Sequence, residues 1–316
     1  MKLKFFVLPI LTISLCSCGL STELNRKSFY FDTYTNTRLF EGTEDNLKDI
    51  TNIFKKIDKL TDNYKARDVS NVFTINNTNE NVKVDKDLYE ILNLSFSSDL
   101  DDLHYFNPLI GSLSKKWKNS LENHEILPQS TIDEELLKIA SSSLELLSST
   151  TVKRSGEAEI DLGAVAKGFA IDKVKSYLDK KNISKYLVDC GSSSILLGEK
   201  ANGENFKIQI ANVSNKYLSL KNCVISTSSM SRQAVEIDGV KYSHIVNPTN
   251  GSVINKNDVA IVISQSGYLG DILSTDFVNE SVEDIKSLEK KYNVQSLIFK
   301  DNKIIYKNKS IEVLDK

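Results

Sequence analysis

Cysteine is scarce in this 316-residue chain, with four in all, at positions 16, 18, 190 and 223. That number excludes a disulfide framework, and Cys190 and Cys223 lack the spacing of metal-ligand pairs. One bridge between these two is open, but both sit in apolar, strand-like runs, which favours buried free thiols. Charge of one sign is missing too: 40 Lys and Arg face 42 Asp and Glu, for a net charge of −2. Such a balance gives no electrostatic case for binding nucleic acid. Beyond residue 18 no run is apolar enough to cross a membrane, and there is no internal repeat or long low-complexity linker. What remains is ordinary for a soluble globular chain: 40% hydrophobic and 26% charged residues. The length suits one large or two intimate domains with a substantial core.

Residues 1–18 stand apart. Lys2 and Lys4 form a basic start, and Phe5 to Leu15 is an apolar run of signal-peptide length. The following Leu15-Cys-Ser-Cys-Gly19 resembles a bacterial lipoprotein signal. That resemblance makes Cys18 the lipidated first residue and anchors the protein to a bacterial membrane on its extracytoplasmic side. Cys16 fits less well, because Leu15 stands where a small residue is wanted. A plain secretory signal is the alternative. Residues 19–28 are polar and read as a tether to a single intimate α+β unit over 29–316.

In that unit helices dominate before residue 150 and antiparallel strands after it, which predicts α+β. Phe29 to Phe40 reads as a strand. Thr43 caps a helix through Leu60, whose buried stripe is Leu47, Ile50, Ile53, Phe54, Ile57 and Leu60. Asp62 to Asn79 reads as a loop, Asp85 caps a second helix, and 99–117 reads as irregular. Thr131 to Leu147 reads as a third helix. Later strands are expected over 186–190, 194–197, 206–210, 217–225, 259–263, 293–299 and 304–306. Gln233 to Ile237 is expected to pair with Val240 to Ile245 across Asp238-Gly239, a strong hairpin signal. Helices are expected from Tyr268 to Val278 and from Ser281 onward.

Three features suggest chemistry. The first is Glu159-Ile-Asp-Leu-Gly-Ala-Val-Ala-Lys-Gly-Phe-Ala-Ile-Asp172, where a strand-like run at Ala158–Leu162 meets a helix through Gly163 and Ala164. Small residues allow close backbone approach, and helix-start N–H groups with Lys167 favour an anion, so the joint reads as a phosphate or nucleotide site. An ordinary loop with a surface lysine fits the same residues. The second is Asp271 and Thr275, four apart on one helix face, with oxygen donors suited to a hard cation such as Mg²⁺. Ser274 and Asp276 turn away from that line, and the spacing also fits a simple surface pair. The third is His244, at a strand end beside a loop in Tyr242-Ser-His-Ile-Val-Asn-Pro-Thr-Asn-Gly251; a general base or a structural histidine fits there. His104 and His124 have no such context.

Taken together and in order, these motifs resemble the ApbE-type FAD:protein FMN transferases over nearly all of residues 29–300. The carrying segments are Asp161–Asp172, Tyr186-Leu-Val-Asp-Cys-Gly191, Ser226-Thr-Ser228, Tyr242–Gly251 and Gly270-Asp-Ile-Leu-Ser-Thr275. Weaker matches lie at Phe31-Asp-Thr33, Tyr64-Lys65 and Phe106-Asn-Pro-Leu-Ile-Gly111. The resemblance implies an ApbE-like, T-fold-related architecture and Mg²⁺-dependent transfer of FMN from FAD to a Thr or Ser hydroxyl of an acceptor protein, with AMP released. FAD pyrophosphatase activity and non-catalytic FAD binding are the alternatives. It implies Asp161 and Lys167 as FAD contacts and the Ala164 carbonyl, Asp271 and Thr275 as Mg²⁺ ligands. His244 becomes the base for the acceptor, and Phe31, Tyr64, Lys65 and Asn107 fall on the flavin side. The chain departs from the family pattern at Ser192, where the second Gly is expected. It also departs at Ser229-Met230 for Gly-Asp, and at Asn107 and Asn247 for the Asp of two Asp-Pro pairs. Lost carboxylates near the site would weaken metal or acceptor handling.

Overall fold

A computed structural model describes residues 23–210, 216–230 and 234–315. The signal segment, Cys18 and Gln233 lie outside these residues. Strands β1 (Leu24–Tyr30) and β2 (Thr33–Leu39) pair as an antiparallel hairpin. Phe31 and Asp32 form its turn, both left-handed, with φ of 54° and 53°. Two strands thus replace the single one expected over 29–40, and residues 24–28 belong to β1 and not to a tether. Helix α1 (Glu44–Thr61) is capped by Thr43, with Asn46 returning the bond in a capping box, and it buries Leu47, Ile50, Phe54, Ile57 and Leu60. The expected loop at 62–79 contains a short helix, α2 (Val72–Asn76), capped by Asn71. Next come β3 (Val82–Lys83), α3 (Lys86–Ser95) and α4 (Gly111–Glu122), the last starting inside the segment read as irregular.

Helix α5 (Gln129–Ala140) stops well before Leu147. The hydroxyls of Ser141 and Ser142 bond to the carbonyls of Leu137 and Lys138, at 2.9 and 2.7 Å, and end it. Leu144 and Leu146 then alternate with exposed residues in β4 (Ser143–Ser148), which pairs with β5 (Thr151–Ser155). Helix α6 (Ala166–Lys180) buries the expected stripe of Ala166, Ala170, Val174 and Leu178. It is followed by β6 (Tyr186–Cys190), β7 (Ser194–Leu197), β8 (Phe206–Gln209), β9 (Lys216–Leu220) and β10 (Cys223–Ser229). A left-handed Asn222, φ 51°, splits the strand expected over 217–225 into two. Strands β11 (Val235–Ile237) and β12 (Val240–Tyr242) pair across Asp238-Gly239 as expected. The chain closes with β13 (Val259–Ser264), α7 (Gly267–Phe277), α8 (Val282–Tyr292), β14 (Gln295–Lys300), β15 (Lys303–Lys307) and β16 (Val313–Asp315).

The architecture is α+β. Eight strands form one antiparallel sheet in the order β1-β2-β6-β7-β10-β13-β14-β15, so the N-terminal hairpin is an edge of the later sheet. At its centre both faces are buried. Along β13, Ala260 and Val262 join the core shared with α1, α6 and α7. Ile261 and Ile263 join a second core under the small sheet β16-β9-β8, with Phe206 and Leu218. Double burial explains why β13 reads as an unbroken apolar run, each such side chain contributing about 1.5–3 kcal/mol. Cys190 lies in the first core and Cys223 in the second. Both are free, and burial pushes each thiol up to about 12. The sheet separates them, so they form no bridge. No helix among the described residues is long and apolar enough to cross a membrane.

Candidate active site

The centre of the chain is built on loops and a helix start, without a strand. Residues 158–162, expected as a strand, join no sheet. The Asp161 N–H bonds to the Pro108 carbonyl and the Gly111 N–H to the Glu159 carbonyl, each at 2.8 Å. The Asn76 side chain brackets Ile160, accepting its N–H and donating to its carbonyl. Asp161 turns back to accept the Gly163 N–H at 2.7 Å, and α6 begins at Ala166.

The helix start does hold an anion, but it is the protein's own. The Gly168 N–H donates to Asp271 Oδ2 at 2.7 Å. In return, Asp172 of α6 accepts the Gly267 and Tyr268 N–H groups at the start of α7, at 2.6 and 2.9 Å, and the Ser266 hydroxyl. Each helix therefore carries a carboxylate that satisfies the other's orphan N–H groups, where the helix dipole favours negative charge. The two helices meet at Gly168 and Gly267: a Cβ on Gly168 would lie 2.1 Å from the Gly267 carbonyl oxygen. Asp172, the last residue of the central motif, thus has a structural task that sequence reasoning did not assign.

Asp271 is buried and also accepts from Ser194 and Ser226, whose hydroxyls lie 2.8 and 2.7 Å from Oδ1. Burial pushes its carboxyl pKa up, while the Lys167 charge and these hydrogen bonds oppose the shift. The Thr275 hydroxyl donates to the Asp271 carbonyl at 2.9 Å, which leaves its oxygen able to accept. Ser228 of β10 lies 2.9 Å from the Ser274 hydroxyl and 3.2 Å from that of Thr275. Ser274 therefore belongs to the site, contrary to the helical-face expectation, because β10 packs on that side of α7. Asp276 does turn away. It is buried and accepts the Tyr105 N–H at 2.7 Å, and burial pushes its carboxyl up to about 7.

Ser194, Ser228, Asp271, Ser274 and Thr275 line one cavity of about 870 Å³. Its wall brings together Asp161, Ala164, Lys167, His244, Asp271 and Thr275, with Phe31, Tyr64 and Asn107 opposite in sequence origin but on the same cavity. The volume falls in the range of small-molecule and cofactor sites. Lys65 is the exception: it is exposed and does not line the cavity. Asp62 accepts the N–H groups of both Tyr64 and Lys65, a turn that gives the wall to Tyr64 and solvent to Lys65. The Tyr64 ring has the Lys115 and Lys118 ammonium groups 5.0 and 5.1 Å from its centroid. Asp161 is half-buried; burial raises its carboxyl pKa against the Gly163 N–H and the Lys115 and Lys167 charges.

His244 is exposed on the cavity wall just after β12. Its segment is fixed by the Ser243 N–H on the Val253 carbonyl and by the Trp117 indole N–H on the Gly251 carbonyl, at 2.9 and 2.7 Å. The two Asn-for-Asp departures have a clear local role. Asn247 Oδ1 accepts the Thr249 N–H and Asn107 Oδ1 the Leu109 N–H, both at 2.9 Å. Each is an Asx turn around a proline, and an amide oxygen makes that turn as a carboxylate does.

Among the described residues no group of three His, Cys, Asp or Glu side chains could hold a metal ion. The donors gathered where β10 packs on α7 are the Asp271 carboxylate and the Ser228, Ser274 and Thr275 hydroxyls. They fit a hard cation that completes its shell with water and ligand oxygens, since the three protein donors on Asp271 leave carboxylate acceptor capacity unused. Ser194 was missed from sequence, and Ser226, though part of the Ser226-Thr-Ser228 segment, had been given no role; each is a buried hydroxyl next to apolar strand residues.

Fold and cavity together define an α+β protein with a small-molecule site floored by hydroxyls around one buried carboxylate. Residues 31–298 match the ApbE family, and the chain belongs to it. It is 34% identical over 139 residues to an FAD:protein FMN transferase of Vibrio cholerae, covering 42% of each chain. It is 26% identical over 241 residues to one of Chlamydia trachomatis, covering 72% of this chain and 73% of that one. The first three curated relatives are matched over only 42%, 62% and 53% of their own length. The fold matches that of the ApbE protein of Thermotoga maritima with a TM-score of 0.76 at 21% identity, covering 92% of this chain and 96% of that one. The flavin transferase ApbE of Vibrio cholerae gives 0.74 at 20% identity, with 91% and 97% covered.

Proposed function

We propose that this chain is an FAD:protein FMN transferase that moves FMN from FAD onto a Thr or Ser hydroxyl of an acceptor protein and releases AMP. The observation that carries the reading is the meeting of Asp161, Ala164, Lys167, His244, Asp271 and Thr275, distant in sequence, on one cavity. Relatives named for this activity support it. In the reaction the acceptor oxygen attacks the FMN phosphorus and the bond to the AMP oxygen breaks. His244 takes the hydroxyl proton, and AMP leaves with the pyrophosphate's bridging oxygen. Lys167 sets a positive charge beside the phosphates, and Asp161 orients the nucleotide. The Ala164 carbonyl, Asp271 and Thr275 would hold a Mg²⁺, which would supply neutralisation of negative charge.

A second reading, hydrolysis of FAD to FMN and AMP, has one observation in its favour: His244 is exposed, so water reaches the position of the acceptor. Whether a partner segment excludes that water separates the two. The deciding experiment incubates the full chain with FAD, Mg²⁺ and membrane proteins from cells lacking it, followed by mass spectrometry. An FMN adduct on Thr or Ser is expected; free FMN and AMP with no adduct would overturn transfer. We further propose lipid anchoring through Cys18 on the extracytoplasmic face of a bacterial membrane, on the motif at residues 15–19. Cys18→Ser then moves the protein to the soluble fraction, and retention on membranes counts against the anchor.

A further inference from the structure

The hairpin tip that reaches the cavity is held in a conformation its sequence does not favour. Phe31, Asp32 and Thr33 line the cavity, and Phe31 has φ of 54°. A two-residue hairpin turn needs left-handed backbone at both positions, which Gly, Asn and Asp supply readily. A bulky aromatic there is an outlier that persists only when its surroundings hold it. Two contacts do so. The Phe31 N–H, which the β1–β2 ladder leaves unpaired, donates to Asp58 Oδ1 of α1 at 2.6 Å. The Phe31 ring meets Phe54, one turn earlier on α1, edge to face with centroids 6.4 Å apart.

We infer that Asp58 is a positioning residue for the nucleotide cavity: its carboxylate fixes the strained hairpin tip, so that Phe31 and Asp32 form part of the wall. Asp58 is not on the cavity wall itself and acts through the Phe31 backbone. The inference rests on the proposed binding of FAD in this cavity.

The test titrates FAD against the full chain by flavin fluorescence in wild type, Asp58→Ala, Asp58→Asn, Phe31→Gly and the Phe31→Gly/Asp58→Ala double variant. Loss of a hydrogen bond to a charged acceptor predicts about tenfold weaker FAD binding in Asp58→Ala. Asp58→Asn keeps an acceptor oxygen and recovers most of it. In the Phe31→Gly background the Asp58→Ala effect shrinks to under about twofold, because Gly adopts this φ unaided. An equal loss in both backgrounds, or unchanged affinity in Asp58→Ala, overturns the inference. If Asp58→Ala does not fold, Asp58→Glu replaces it in the same cycle: a loss confined to the Phe31 background supports the inference, and an equal or absent loss overturns it. Wild type that fails to bind FAD defeats the proposed function instead, so the two failures are distinct.

Discussion

Replacing Gly168 with alanine tests the crossing of α6 and α7 directly. The added Cβ would lie 2.1 Å from the Gly267 carbonyl oxygen, 2.4 Å from its carbon and 2.8 Å from Asp271 Cγ. Two of these are backbone atoms and cannot swing aside. Ordinary contact begins near 3.4 Å, so the helices must part by about 1.3 Å. That displacement stretches the Gly168 N–H bond to Asp271 from 2.7 Å beyond hydrogen-bond range. Overpacking costs about 1–3 kcal/mol and the lost bond to a charged acceptor about 1.5–3 kcal/mol, so the variant should lose roughly 3–5 kcal/mol. Thermal denaturation followed by circular dichroism should show Tm lower by roughly 6–20 °C. AMP release from FAD should fall with it, because the displaced helix carries Asp271 and Thr275. A Tm within about 2 °C of wild type would refute the reasoning, since a crossing that accepts a methyl group cannot be held by glycine contact.

Three further outcomes are expected. His244→Ala should slow transfer by roughly 10²–10⁴-fold at saturating FAD, read as adduct formation by mass spectrometry; a normal rate would leave His244 a structural residue. Ser192→Gly should raise stability by about 1 kcal/mol, because Ser192 holds φ of 56° in the β6–β7 turn and glycine removes the left-handed penalty. A lower Tm in that variant would place the value of Ser192 in its side chain. Asp276 has its carboxyl pushed up from 3.8 to about 7 by burial. Its contribution to stability is therefore full below the unfolded value and is lost as pH rises through 7, so wild type should lose about 1 kcal/mol more than Asp276→Asn between pH 6 and pH 8. Parallel denaturation profiles for the two proteins would show that Asp276 does not titrate there.

Much of the fold was legible where one local signal dominated. The Thr43 cap and the spacing of Leu47, Ile50, Phe54 and Ile57 defined α1, and Asp238-Gly239 defined the β11–β12 turn. Failures came where tertiary contacts overrode local preference. Phe31-Asp32 carries no glycine or asparagine, yet it turns, because Asp58 and Phe54 lie far along the chain. The leucines of 144–147 continue a helical spacing, but pairing with β5 makes them a strand. The order of residue types picked out Asp271, Thr275, Lys167 and His244, and all four line one cavity. The site was not legible in the bonds that Ser194 and Ser226 make to Asp271, since Ser194 carries no pattern and Ser226 was one hydroxyl among four in β10, nor in Lys65, whose direction depends on the turn made by Asp62.

The central motif reads, in sequence, like a helix start waiting for a phosphate. In the structure that start is occupied by Asp271, and the consequence for chemistry is a reversal of charge. A bare helix N-terminus attracts the anionic ligand itself. Here the Gly168 N–H, two serine hydroxyls and Lys167 stabilise a buried carboxylate, which faces the cavity beside Thr275. An anionic ligand would be repelled by that carboxylate unless a cation stood between them. Under the proposed function this arrangement would favour a metal–nucleotide complex over a free nucleotide, with Lys167 serving the phosphates. It also explains the reciprocal role of Asp172. By holding the first turn of α7 to α6, it fixes where Asp271 and Thr275 stand relative to Ala164. The two halves of the proposed metal site, more than a hundred positions apart in sequence, are thus set by a backbone crossing at Gly168 and Gly267, and not by the flexible reach of side chains.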